Sequence, residues 1–204
     1  MPRYRTRSWR AFDPAAARPT VVTELRPAAR LRILGLDPGS RRTGFGLVDW
    51  HGTQCAHVAH GCIQTLGSSP IERLRVIFEA VSTLITEHRP DEIAVERVFV
   101  NRNVDSALKL GQARGAALSA VPRGTGVFEY APRAIKLAVV GFGGAEKPQV
   151  AHMMRVLLKL SGQLTADAAD ALAVAVCHAH ARRLAPSVAP RRGSGVVLSG
   201  ESHG

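Results

Sequence analysis

Between residues 31 and 181 the spacing of apolar positions changes several times, and each change marks an element. Leu31-Arg32-Ile33-Leu34-Gly35-Leu36-Asp37 is a short apolar run halted by Pro38-Gly39-Ser40, which predicts a strand and then a turn. Residues 44–50 predict a second strand, closed by His51-Gly52, and residues 54–65 the third strand of an antiparallel meander. From Pro70 the spacing lengthens. Leu74, Ile77, Phe78, Val81, Leu84 and Ile85 follow the helical period, so a helix opening on Pro70 should lay this face on the sheet.

Arg89-Pro90-Asp91 stops that helix, and Glu92 to Glu96 is short and apolar enough for an internal strand. Residues 104–121 read as helix and 127–130 as strand, with further helices near 132–140, 148–160 and 166–182. The order is βββ-α-β-α-β-α with helices appended. It predicts an α/β protein of the ribonuclease H-like fold: a mixed five-stranded sheet flanked by helices, its first three strands antiparallel and its later ones joined through helices.

The ends read differently. Residues 1–30 mix Arg, Ala and Pro without apolar periodicity and are expected to form a disordered basic leader, with residues 183–204 a disordered tail and residues 31–182 one domain. The leader is poor in acids, as mitochondrial transit peptides are, but nothing resembles a secretory signal or a membrane span. Three cysteines, Cys55, Cys62 and Cys177, show no CxxC pairing, so a reducing cytoplasm is expected. The formal charge is +11 over 204 residues, yet the first 30 hold seven arginines against Asp13 and Glu24, a net of +5. Much of the basicity therefore lies outside the core and says little about what the core binds.

Four acids stand in apolar surroundings: Asp37 and Glu96 at the ends of predicted strands, and Asp167 and Asp170 in Thr165-Ala166-Asp167-Ala168-Ala169-Asp170-Ala171-Leu172-Ala173. Carboxylates are seldom placed where neighbours bury them unless a cation offsets the desolvation cost. In the predicted order the Asp37 and Glu96 strands are neighbours, and an i, i+3 pair shares one face near a helix N-terminus, where negative charge is tolerated. Four oxygen ligands from three elements suit a hard cation such as Mg²⁺ or Mn²⁺. Each acid also has a plain structural reading: Asp37 as a turn residue before Pro-Gly, Glu96 as an ion-pair partner of Arg97, Asp167 as a helix cap. Actin-like sugar kinases begin with a similar strand, Asp and glycine turn, but they need a second lobe that this core is too short to supply.

Taken in order, Asp37-Pro38-Gly39-Ser40, Glu96-Arg97-Val98-Phe99, Asp105-Ser106-Ala107-Leu108-Lys109-Leu110-Gly111-Gln112-Ala113-Arg114-Gly115 and Ala166-Asp167-Ala168-Ala169-Asp170-Ala171-Leu172-Ala173 closely resemble the RuvC family of bacterial Holliday junction resolvases. The run from Asp105 to Gly115 is the most specific of these. The resemblance implies a homodimeric, Mg²⁺-dependent endonuclease that nicks two strands of like polarity across four-way junction DNA, with two metal ions per subunit, Mn²⁺ substituting, and the RuvA and RuvB branch-migration complex as partner. Asp37, Glu96, Asp167 and Asp170 fall on the family's four acidic catalytic, metal-binding positions. Phe99 matches an aromatic residue that stacks on a base, and Lys136 and Lys147 match basic residues that act through DNA contact. Some members carry His at the third acid, whereas this chain has Asp167; Pro148 and the long leader depart modestly from the family pattern.

Beside these, Arg102, Lys109 and Arg114 are candidate phosphate contacts, each with an alternative as a solvated surface charge. Phe99 has an alternative as a core aromatic. Gly111 and Gly115, four apart beside Leu108 and Leu118, would admit a second helix at a dimer interface or pack on their own sheet. Two further functions remain open on the residues alone: a binder of branched DNA without catalysis, and a nuclease of RNA–DNA hybrids.

Overall fold

The computed structural model describes residues 30–65, 69–97 and 104–184. The expected leader and tail thus fall almost wholly outside the described residues, as do Phe99 and Arg102. Among the described residues, five strands, β1 (Leu31–Asp37), β2 (Arg42–Trp50), β3 (Cys55–Gln64), β4 (Glu92–Glu96) and β5 (Gly126–Tyr130), form one sheet in the order β3-β2-β1-β4-β5. The β1–β2 and β2–β3 pairs are antiparallel, and β4 runs parallel to both β1 and β5. Among the described residues five helices complete it: α1 (Pro70–His88), α2 (Val104–Ser119), α3 (Pro132–Val140), α4 (Lys147–Leu157) and α5 (Ala166–Leu184). The ribonuclease H-like order read from the apolar pattern is the order observed.

The two-residue period of the strands sorts side chains between two cores. Leu34, Leu36, Leu47, Ile93 and Val95 meet Ile77, Val81 and Ile85 of α1 and Ala113 and Ala117 of α2. Ile33, Val48 and Ala94 point the other way, into a core with α3, α4 and α5. Asp37 continues the Ile33 side of β1, and Glu96 the Ala94 side of β4. Both acids are therefore delivered to the α5 face by alternation alone.

That face accepts α5 at close range because the strands carry glycine there. A Cβ on Gly35 would lie 2.1 Å from the Ala171 carbonyl oxygen, and one on Gly44 would lie 2.0 Å from that of Asp167. Elsewhere the expected boundaries shift slightly. β2 starts at Arg42, two residues early, because Arg42 still pairs with Gln64 of β3. On α1, Phe78 is 41% exposed rather than on the buried face, since the stripe in contact is Ile77, Val81 and Ile85 at four-residue steps.

Candidate active site

Leu36 pairs with Val95 across the parallel β1–β4 ladder, so Asp37 and Glu96 are the next residues on adjacent strands. Above them comes the first part of α5; Thr165, the residue before it, accepts a hydrogen bond from the Ala168 amide through Oγ1 at 3.3 Å. A cavity of about 280 Å³ opens between these elements, lined by Asp37, Glu96 and Asp170, by Lys136 of α3 and Lys147 of α4, and by apolar neighbours including Ile135 and Val150. Lys147 Nζ donates to Asp170 Oδ2 at 2.7 Å. Pro148 sits in the first turn of α4, and Glu146 with Gln149 closes a capping box there, so the proline is part of what aims Lys147.

Electrostatics in the cavity are those of crowded anions. Burial, then the charges of Glu96 and Asp170, push the Asp37 carboxyl up to about 7 against the pull of Lys147. Burial and Asp170 raise Glu96 as well, while Lys147 and a hydrogen bond with Asp37 hold it back. Lys147 is raised by its bond to Asp170. Three carboxyls share this cavity with two lysines, Lys136 and Lys147, so the site has room for further positive charge. Hard anionic oxygens fit a divalent cation, although among the described residues no three His, Cys, Asp or Glu side chains are drawn into a metal-binding cluster.

Asp167 stands apart from the other three acids. Its Oδ2 accepts the Cys62 thiol at 3.6 Å and lies 3.7 Å from Arg42 Nη1, and it does not line the cavity, though its charge is felt by Asp37. The plain structural readings of the acids find other occupants: Thr43 Oγ1 bridges the Gly39 backbone in the turn, Arg97 faces Glu129 at 3.8 Å, and Thr165 caps α5.

The basic candidates divide. Lys136 and Lys147 line the cavity. Lys109 lies off it on α2, paired with Asp105 at 2.5 Å. Arg114 is 14% exposed; it donates to the Glu96 carbonyl oxygen at 2.7 Å and to Glu129. Arg114 thus ties α2 to the strand end that carries Glu96, a role sequence reasoning did not find because no local pattern signals a side chain reaching another element's backbone. Arg42 and Cys62 beside Asp167 were missed for the same reason. The Thr165 cap had a signal, a threonine just before the apolar-periodic run.

The sheet order, the crossing helix and the carboxylates at adjacent strand ends define a ribonuclease H-like protein. At 11% identity, the yeast mitochondrial Holliday junction resolvase Ydc2 shares the fold, with a TM-score of 0.55 over 76% of this chain and 82% of that one. The chain belongs to the family described as crossover junction endodeoxyribonuclease RuvC, whose model matches residues 33–178. The crossover junction endodeoxyribonuclease RuvC of Methylococcus capsulatus is 56% identical over 153 residues, 74% of this chain and 92% of that protein. RuvC of Thermus thermophilus in complex with a Holliday junction substrate is 33% identical, with a TM-score of 0.71 over 76% of this chain and 96% of that one.

Proposed function

We propose that the protein resolves four-way DNA junctions by metal-dependent phosphodiester hydrolysis, placing paired nicks in two strands of like polarity and leaving 5′-phosphate and 3′-hydroxyl ends, in recombination and DNA repair. The observation that carries this is the meeting of Asp37, Glu96 and Asp170, from three elements, with Lys136 and Lys147 in one cavity. Asp37, Glu96 and Asp170 would hold the divalent ion or ions, Mg²⁺ by preference and Mn²⁺ in substitution, with Asp167 at the margin. A bound divalent ion lowers the pKa of a water and stabilises a departing oxygen. The chain's own part is to fix the ligands on β1, β4 and α5, to shield one side of the cavity with Ile135 and Val150, and to set Lys136 and Lys147 where a phosphate needs charge.

Family membership supports a homodimer and partnership with RuvA and RuvB in the cytoplasm. Gly111 and Gly115 support the dimer further: a Cβ at either would meet nothing within 4 Å, so both lie on the outer surface of α2 rather than against the sheet. Among the described residues no helix is long and apolar enough to cross a membrane. The test compares a synthetic four-way junction, a linear duplex and an RNA–DNA hybrid, with Mg²⁺ and with a chelator. Selective, Mg²⁺-dependent nicking of the junction is expected. Equal cleavage of all three, cleavage in chelator, or binding without any nicking would overturn the proposal.

A further inference from the structure

Asp170 owes its place to α5, which buries Ala168, Ala169, Ala171, Ala173 and Ala175 together with Leu172, Val174 and Val176. Apolar burial is non-directional, so it favours a packed helix without by itself specifying which polar groups must meet. A polar network interrupts this surface, reaching from the start of β4 to the strand position beside Glu96. Glu92, at the start of β4 and 4% exposed, accepts from His178 Nε2 at 2.7 Å and from Arg182 Nη2 at 2.8 Å. Tyr130, the last residue of β5, places its hydroxyl 2.6 Å from His178 Nδ1, and the Phe128 ring lies against the imidazole with centroids 4.3 Å apart. One proton on Nε2 makes the chain of bonds complete: Tyr130 donates to Nδ1, and Nε2 donates to the carboxylate.

We propose that Glu92, His178, Arg182 and Tyr130 form an axial lock that sets the register of α5 on β4 and β5, and so positions the Asp170 carboxylate against Asp37 and Glu96. The elements are matched in length. Glu92 to Glu96 is four residues of strand, about 13 Å, and His178 back to Asp170 is eight residues of helix, about 12 Å. Pinned at one end, β4 and α5 bring Glu96 and Asp170 to one cavity at the other. Tyr130 pairs with Glu96 across the β4–β5 ladder, so the lock also touches the strand position beside the site. A slip by one residue of helix would move Asp170 about 1.5 Å, well beyond the roughly 0.2 Å tolerance of metal–ligand distances. Buried ion pairs add little net stability compared with an apolar replacement of similar volume, and setting register is the best-attested use of such a pair.

The lock rests on the proposed metal-dependent function, so the test reads metal binding separately from cleavage. Mn²⁺ binding to the DNA-free protein is followed by electron paramagnetic resonance for the wild type, Tyr130→Phe and Glu92→Gln, with melting temperature and the kcat and KM of junction cleavage measured on the same preparations. The lock predicts a Mn²⁺ midpoint raised about threefold to tenfold, at or below the usual effect of losing a group that orients a metal ligand, with kcat reduced, junction KM unchanged, and partial recovery of kcat in excess Mg²⁺. An unchanged midpoint and kcat in both variants would overturn it, whether or not the melting temperature falls. If Glu92→Gln does not fold, Tyr130→Phe, which removes a single hydroxyl, decides alone. Wild-type protein that binds Mn²⁺ but leaves junctions intact would sink the function, and the Mn²⁺ comparison would still decide the lock.

Discussion

Asp37 is the most strongly perturbed carboxyl of the proposed site, because it is buried and crowded by Glu96 and Asp170. On the proposed function, Asp37→Asn, Glu96→Gln and Asp170→Asn should each abolish Mg²⁺-dependent nicking while leaving junction binding largely intact, since each would remove a proposed anionic ligand and no cation. Gel-shift and cleavage assays on the same preparations check this; full cleavage by any one variant removes that residue from the site. The raised value of about 7 for Asp37 also fixes a sign. The folded, metal-free protein holds this proton more tightly than the unfolded chain, so its contribution to stability is fully present below the ordinary carboxyl range and is lost as pH rises through about 7. Melting temperature of metal-free wild type should therefore fall over that window relative to Asp37→Asn. Metal affinity should follow the opposite course, weakening by up to about tenfold per pH unit below 7, as the proton competes for the ligand; calorimetric titration at pH 6, 7 and 8 checks it.

At the scale of elements, the site depends on how near α5 approaches the sheet. Gly35→Ala would place a methyl 2.1 Å from the Ala171 carbonyl oxygen and 2.9 Å from the Ala175 methyl, where backbone on both sides must give. The expected cost is about 1–3 kcal/mol of stability, the usual range for overpacking, with cleavage reduced in the folded fraction because Asp170 is lifted away from Asp37. Chemical denaturation with parallel cleavage assays measures both. A neutral outcome would mean that α5 shifts freely, contrary to the packing described. Arg114 belongs to this scale too: α2 secures the end of β4 through it, so α2 positions Glu96 without lining the cavity.

For the whole molecule, the relevant quantity is where positive charge lies rather than its sum. Lys136 and Lys147 stand at the cavity, whereas the first 30 residues carry a net +5. If the cavity face engages several phosphates, junction affinity should fall steeply and log-linearly with salt, with a slope of roughly −0.9 per phosphate neutralised. A Lys136→Ala, Lys147→Ala double variant should show a shallower slope in fluorescence anisotropy titrations. An unchanged slope would take those lysines off the DNA-binding face.

Alternation and helical period are local properties of a chain, which is why the element order, the core stripes and the strand-end acids were legible in the sequence. The apolar run from Leu31 to Leu36 makes a buried strand whatever surrounds it, and Asp37 falls on its α5 side by counting in twos. Tertiary structure alone decided what depends on distances between elements. It brought Asp37, Glu96 and Asp170 into one cavity while turning Asp167 toward Arg42 and Cys62, although Asp167 and Asp170 look equivalent as an i, i+3 pair. It made Arg114, to the eye a surface cation, a tie to the Glu96 backbone, and it made Glu92, an ordinary acid at the start of a strand, the centre of a buried network. A side chain's partner is set by which elements meet and at what depth. Spacing along one element carries no record of that.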